Sequence, residues 1–325
     1  MIRTRVCEVL QIEHPIALGG MGSVPAPALV AAVSNAGALG TLGCGFSNAD
    51  QVRANTAEVR AQTDKTIGLN FLIFNIDEDA FAAGLALRPA VMAFAWPRPE
   101  QDVKRYIARA HDAGCKVTFM CPGVPEAARA AEGGADVIVA QGTEGGGHVG
   151  WLTTMALVPM MIDAVAPIPV LAAGGIADGR GLAAALALGA DGVLLGTRFL
   201  ASRESPLHPN FKQAILDSDG HDTLLTEIPD RAAGLVWPGA LSRSRRNGFI
   251  ERWAGREWAL RQHRAEAFAA VLEARKSGDA DQAPLPMGQD AGLIHDIPPA
   301  GEIVTRIAQE AEQILTQRLP KLIRH

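Results

Sequence analysis

Ile168-Pro-Val-Leu-Ala-Ala-Gly-Gly-Ile-Ala-Asp-Gly-Arg-Gly181, followed by Gly189-Ala-Asp-Gly-Val-Leu-Leu-Gly-Thr-Arg-Phe-Leu200, reads as two short apolar strands, each stopped by glycine where a helix should begin. The first strand, Pro169 to Ala173, breaks at Gly174-Gly175, and Asp178-Gly-Arg-Gly181 leads into a small-residue helix, Leu182 to Leu188. The second, Asp191 to Leu195, breaks at Gly196-Thr197. Late in a repeating β/α chain, (β/α)8 barrels build a phosphate site from the loops after strands seven and eight. Turns without side chains leave backbone N–H groups free to hold an anion, and the helix N-termini behind them are expected to add partial positive charge. The alternative is that these glycines serve only tight turns and close helix packing.

Working outward, short runs rich in Val, Ile and Leu alternate with alanine-rich amphipathic stretches, the pattern of a parallel sheet wrapped in helices. Eight strands are expected: Ile16 to Gly19, Leu39 to Gly43, Ile67 to Ile73, Val91 to Trp96, Lys116 to Cys121, Val137 to Gln141, Val170 to Ala173 and Val193 to Gly196. Helices between them include Ala28 to Asn35, Ala49 to Gln62, Glu100 to Ala113, Glu126 to Glu132 and Thr154 to Val165, with Gly37, Gly114, Gly133 and Gly189 as end signals. Eight units suit a TIM barrel of the α/β class better than a doubly wound sheet.

After Arg203 the rhythm stops. Residues 204–290 are expected to form a mostly helical cap on the substrate side, with one helical stretch from Glu251 to Ser277 in which Leu260, Ala267, Val271 and Ala274 recur near helical spacing. Ser277 to Gly288, carrying Gly278, Pro284 and Pro286, reads as an exposed loop. A last helix, Ala300 to Leu319, should return to the barrel wall, so that residues 1–203 and 291–325 make up the barrel.

The chain of 325 residues is 48% hydrophobic, ample for a deep core, and its net charge of -5 lacks the basic footprint of a nucleic-acid binder. A small-molecule substrate is expected instead. Cys7, Cys44, Cys115 and Cys121 have no metal-ligand spacing, so no disulfide and no structural zinc are expected. The opening Met1-Ile-Arg-Thr-Arg-Val lacks the features of a signal peptide, and the most apolar stretch, Thr153 to Leu171, is interrupted by Asp163 and prolines. Cytoplasm is the expected location, with no membrane partner.

Chemistry gathers after the sixth strand, in Gln141-Gly-Thr-Glu-Gly-Gly-Gly-His148-Val-Gly150. Glycines let a backbone approach a flat ring closely, and a histidine beside that ring would exchange a proton near neutral pH. Otherwise His148 is a surface residue on a flexible loop. Positions 145, 147 and 150 also fit G-x-G-x-x-G, but in the sixth unit of a barrel rather than the first unit of a dinucleotide fold. Gly19-Gly20-Met21-Gly22 ends strand one in a turn that would cover an aromatic cofactor, unless Met21 is core filler. Asn70, in an apolar run, must bond backbone or face a ligand. His208 in Pro206-Leu-His-Pro209 reads as a rim turn and Trp151 as a pocket wall. No His-Glu-x-x-His or other metal-ligand pattern occurs.

Gly19-Gly20-Met21, Gly68-Leu69-Asn70, Gln141 through Gly150, Ala173-Gly-Gly-Ile-Ala-Asp178, Gly196-Thr-Arg-Phe-Leu200 and Met287-Gly-Gln-Asp-Ala-Gly-Leu-Ile294, in that order, resemble the nitronate monooxygenase family, formerly called 2-nitropropane dioxygenases. FMN-dependent enoyl-thioester reductases and some NAD(P)H:quinone reductases share the skeleton. The resemblance implies one noncovalent FMN. Gly20, Met21 and Gly22 would lie along its ring, Asn70 and Leu72 near it, and Gln141, Gly146 and Gly147 beside it. Ala173, Gly174, Gly175, Gly196 and Thr197 would surround the phosphate, and His148 matches the family's catalytic base. The implied reaction is oxidation of alkyl nitronates by dioxygen to carbonyl compounds and nitrite. The alternative is an FMN-dependent NAD(P)H reductase acting on an enoyl thioester or a quinone. A non-redox barrel that binds a phosphorylated metabolite through the same turns would instead be colourless. The chain departs from some relatives in having Phe119-Met-Cys121 where they carry lysine, and Gly145 where alanine is commonest. A homodimer is left open.

Overall fold

The computed structural model describes residues 1–21 and 25–322. Its strands are β1 (Ile16–Leu18), β2 (Gly40–Gly43), β3 (Ile67–Leu72), β4 (Val91–Ala95), β5 (Lys116–Cys121), β6 (Val137–Gln141), β7 (Gly147–Val149), β8 (Val170–Ala173), β9 (Gly192–Leu195), β10 (Thr223–Thr226) and β11 (Leu241–Arg245). Eight of these form one parallel sheet in the order β1-β9-β8-β6-β5-β4-β3-β2. The ends of that sheet meet. Leu18 N–H donates to Leu39 O at 2.8 Å and Leu39 N–H to Ile16 O at 3.0 Å, so β1 closes against the start of β2. The result is a (β/α)8 TIM barrel whose strands are buried on both faces, as their near-continuous apolar sequences require.

Local signals start the intervening helices. Asn48 and Gln51 form a reciprocal capping box on Ala49–Arg60, and Asp77 and Asp102 cap Glu78–Ala86 and Val103–Asp112, each such cap contributing about 1 kcal/mol. At the end of Val124–Glu132 the left-handed turn residue is Gly134 (φ 97°), one position later than the sequence suggests.

The N-terminal ends of the strands are plugged. Val6, Cys7 and Leu10, from a short helix Arg5–Leu10 that the sequence pattern does not announce, pack against Ala17, Leu39, Val91, Val137 and Leu171 inside the barrel. Arg5 holds this plug by donating to both oxygens of Asp191, at 2.9 and 2.8 Å. Access is therefore from the C-terminal ends of the strands.

Between β9 and the last helix the chain is not purely helical. β10 pairs antiparallel with β11, and β11 pairs antiparallel with β7, which lies in the glycine-rich segment after β6. The stretch expected as one helix over 251–277 is three, Gly248–Trp253, Glu257–Gln262 and Arg264–Ser277, broken near Gly255 (φ 72°) and at His263. Leu260, Ala267, Val271 and Ala274 do face inward and join Phe211, Ile215, Ile228 and Phe249 in a second apolar cluster. The segment read as an exposed loop is instead partly buried: Ala283, Leu285 and Met287 are almost completely covered. Arg245 N–H donates to Leu285 O at 2.9 Å, and Ser244 bridges Pro286, extending the small sheet over it. The last helix, Ala300–Gln313, buries Ile303, Val304 and Ile307 against the barrel wall. Among the described residues no helix is long and apolar enough to cross a membrane.

Candidate active site

The C-terminal ends of β1, β5, β6, β8 and β9 surround a cavity of about 110 Å³ whose wall is largely glycine backbone. Of the residues singled out from sequence, Gly20, Met21 and Gln141 line it, as do Gly146 and Ala173. Gly174, Gly175, Gly196 and Thr197 line its far end. Asn70, Leu72, Gly147 and His148 are not in its wall, and Gly22 lies outside the described residues.

At the far end the backbone makes the surface. Gly174 and Gly175 both have positive φ (96° and 73°), and a Cβ on Gly174 would stand 2.8 Å from Gly142 O, so only glycine fits this turn. The N–H groups of Gly174, Gly175 and Ile176 find no backbone acceptor among the described residues. A Cβ on Gly196 would meet nothing within 4 Å: that position opens on empty space. Of the two expected helix N-termini, that of the short helix Thr197–Leu200 begins at the cavity wall, whereas that of Gly179–Ala187 is not part of this surface. In Gly179–Ala187 the N–H groups of Arg180 and Gly181 are capped by Asp178, and that of Gly179 donates to Glu310 at 2.7 Å. Two carboxylates have taken that helix end, and the anion-facing donors beside it belong to the loop.

Nearer the barrel axis, Gln141 is 9% exposed and its Oε1 is buried without a hydrogen-bond partner among the described residues. An acceptor in that state calls for a donor from a ligand, because leaving it unsatisfied costs roughly 1–3 kcal/mol. Gly20 rests directly on Asn70: a Cβ there would come within 2.3 Å of Asn70 Cβ. Asn70 in turn donates from Nδ2 to Ala93 O at 3.2 Å, so it supports the turn that forms the cavity wall. Leu72 belongs to a small cluster with Ala95 and Trp96, against which Phe74, Met120 and Trp237 pack. Met120 occupies the end of β5 and also lines the cavity.

His148 stands at the rim, in the middle of β7 opposite Ser242 of β11. Its Nε2 lies 2.9 Å from both carboxylate oxygens of Asp230, which comes from the helix Ile228–Ala233. The His148 side chain is 17% exposed and that of Asp230 8%. An ionised carboxylate only accepts, so Nε2 is the donor, and in the neutral ring it is Nδ1 that keeps the lone pair. The Trp237 ring lies against the imidazole, centroids 3.5 Å apart and planes 28° apart. Trp237 also meets Phe74 edge-on at 4.5 Å and Trp96 at 6.2 Å. Trp96 itself has φ 55°, a conformation rare for a bulky side chain and one that clusters at functional sites.

A further strand of chain seals the cavity. Gly288 N–H donates to Thr197 Oγ1 at 2.9 Å, Gln289 N–H to Glu144 O at 2.9 Å, and buried Asp290 reaches the cavity wall. Glu144 braces the loop from within, its carboxylate accepting from Thr154 N–H at 3.0 and 2.9 Å. Arg243 on β11 ties the small sheet to the same loop, donating from Nε to Thr143 O at 2.7 Å.

Asp230, Trp237, Glu144 and Asp290 are not found by sequence reasoning. Glu144 and Asp290 lie in segments that carried the family resemblance; Asp230 and Trp237 do not. Neither Trp151, which is 68% exposed, nor His208, which caps the helix Pro209–Leu216 by accepting from Asn210 N–H, lines the cavity. The four cysteines are buried as separate thiols, Cys44 pushed up to about 12 by burial. No group of three or more metal-ligating side chains occurs among the described residues.

A family model described as nitronate monooxygenase matches residues 3–83 and 81–310. A (3aS,4S,5R,7aS)-5-hydroxy-7a-methyl-1-oxo-octahydro-1H-indene-4-carboxyl-CoA dehydrogenase from Mycobacterium tuberculosis is 35% identical, the alignment covering 95% of this chain and 96% of that one. The solved structure of FabK from Thermotoga maritima superposes with a TM-score of 0.88 at 36% identity, over 99% of this chain and all of the other. A nitroalkane oxidase from Streptomyces ansochromogenes does so with a TM-score of 0.81 at 28% identity, over 96% and 99% of the two chains.

Proposed function

Because the chain belongs to the nitronate monooxygenase family of oxidoreductases, we propose that it is an FMN-dependent enzyme that oxidises alkyl nitronates with dioxygen to carbonyl compounds and nitrite. The observation that carries this reading is the His148–Asp230 couple at the rim of a glycine-walled cavity.

The residues present fit the cofactor. A phosphate suits the loop N–H groups at Gly174 to Ile176 and the open space at Gly196. A flat ring with N–H edges suits the space beside Gly20 and Met21 and would give buried Gln141 Oε1 its missing donor. When bound, FMN would supply the electron acceptance that the side chains themselves lack.

The chain's own part is acid–base work and enclosure. Nδ1 of His148 would take the proton from the carbon next to the nitro group of a neutral nitroalkane, giving the nitronate. Asp230 accepts from Nε2–H, fixing the ring's orientation and offsetting the positive charge that the ring then carries. Trp237, Phe74 and Trp96 surround that step with apolar surface, which keeps water out and strengthens the electrostatics within.

The test is spectroscopic. Purified protein should be yellow and release FMN on heating, and its absorbance should bleach anaerobically with nitronate but not with NADH or NADPH. His148→Asn should lower turnover of neutral nitroalkane far more than of preformed nitronate. Colourless protein that takes up no flavin would refute the reading.

A second reading draws on the 35% identity to a carboxyl-CoA dehydrogenase: oxidoreduction of a CoA thioester. It shares the base, the cavity and the flavin but exchanges hydride with a pyridine nucleotide. Rapid bleaching by NADH or NADPH would favour it.

A further inference from the structure

One charged side chain in the cavity has no place in the chemistry above. Asp290 sits in the turn Gln289–Leu293, is 5% exposed, and lines the cavity together with Gly175, Gly196 and Thr197, at the end assigned above to the phosphate. An acid in the wall of an anion cradle is an electrostatic contradiction unless it is neutral there, since two like charges in one desolvated site disfavour each other strongly.

The charges around it do not resolve the contradiction. Arg198, on the short helix Thr197–Leu200, commits Nη1 and Nη2 to Asp296 and to the carbonyl oxygens of Ala201 and Asp296; its Nε has no partner among the described residues, and its charge pulls on Asp290 without a hydrogen bond to it. Glu144, on the loop beneath Gly288, turns its carboxylate onto Thr154. Lys212, on the neighbouring helix Pro209–Leu216, donates to Ser202 O and Arg203 O. The Thr197 hydroxyl accepts from Gly288 N–H and turns its own O–H to the Asp290 carboxyl, a neutral donor that leaves the charge uncompensated.

We propose that Asp290 lines the cradle as a carboxylic acid whose O–H donates a hydrogen bond to the bound phosphate monoester, so that binding takes up one proton from solvent wherever the free carboxyl is ionised. This inference rests on the flavin reading. Burial already lifts the Asp290 carboxyl to about 7, against the pull of Thr197 and Arg198, so the proton is available near neutrality. A residue at this position thereby makes cofactor retention sensitive to pH.

The test is a titration of flavin-free protein, read by quenching of flavin fluorescence. FMN should bind roughly 50-fold more weakly at pH 9 than at pH 7, a range in which its own phosphate stays largely dianionic. Riboflavin, which lacks the phosphate, should show no such slope. Asp290→Asn, whose amide donates at every pH, should bind FMN with a dissociation constant that varies by less than about threefold over this range. Calorimetry of the wild-type protein at pH 8 in two buffers of different ionisation enthalpy should count about one proton taken up with FMN and none with riboflavin. A flat FMN profile, or an equal slope for riboflavin or for Asp290→Asn, overturns the proposal and leaves the flavin reading standing. Folded protein that binds neither flavin at any pH overturns both.

Discussion

Replacing Asp230 by asparagine tests whether the acid–base couple does chemistry or only packs. Both carboxylate oxygens lie 2.9 Å from His148 Nε2, and neither side chain is more than 17% exposed, so solvent screens the contact little. A hydrogen bond to a charged group contributes about 1.5–3 kcal/mol, against about 1 kcal/mol for a neutral one. The difference of about 0.5–2 kcal/mol is lost from any state in which the ring is cationic, which is about 2- to 30-fold in rate. Asparagine can also turn its amide toward Nε2 and donate to it, placing the ring's proton on Nδ1, where a base needs a lone pair; this deepens the loss. For neutral nitroalkane, kcat/KM should therefore fall by at least about tenfold, whereas preformed nitronate, with its proton already gone, should lose less than about threefold. The assay is nitrite release for both substrates at matched flavin content. An equal fall for both, or no fall for nitroalkane, would refute the reasoning.

Gly196→Ala places its methyl in empty space, so the melting temperature should stay within about 2 °C while FMN affinity drops at least about tenfold; a destabilised protein with normal affinity would show that the open space is not a binding surface. Asp290→Asn should also change stability with a defined sign. The carboxyl is raised from 3.8 to about 7 on folding, so its cost is absent below pH 4 and complete above pH 7. Flavin-free Asp290→Asn should accordingly gain a few kcal/mol over wild type at pH 8 and nothing at pH 4 in urea unfolding, and an equal change at both would remove ionisation as the cause. Trp237→Ala opens the aromatic wall beside His148, and the ratio of kcat/KM for long-chain to short-chain nitronates should rise several-fold. An unchanged ratio would place substrate elsewhere.

The barrel was legible because its signal is local. The eight barrel strands are short, mostly apolar runs, and burial on both faces leaves little polar alternation to confuse the reading. The glycine walls of the cavity were legible for the same reason. What could not be read depends on partners far along the chain. Thr223-Leu-Leu-Thr226 and Leu241-Ser-Arg-Ser-Arg245 are too short and polar to announce strands, and they are ordered by pairing with each other and with Gly147-His-Val149. Asp230 meets His148 across 82 positions, and no spacing rule marks it. Leu285 and Met287 sit among prolines and glycine that suggest a loop, yet they are covered because β11 runs beside them. The helix after β8 was misjudged as an anion site because the two acids that occupy its end, Asp178 and Glu310, converge only in the fold.

The residue that would move the proton is woven into a fabric whose other threads, β10 and β11, belong to the covering layer and not to the barrel. Asp230 and Trp237, which orient and flank its ring, come from that layer as well. The placement of the imidazole is thus set by the covering layer as much as by the barrel beneath it.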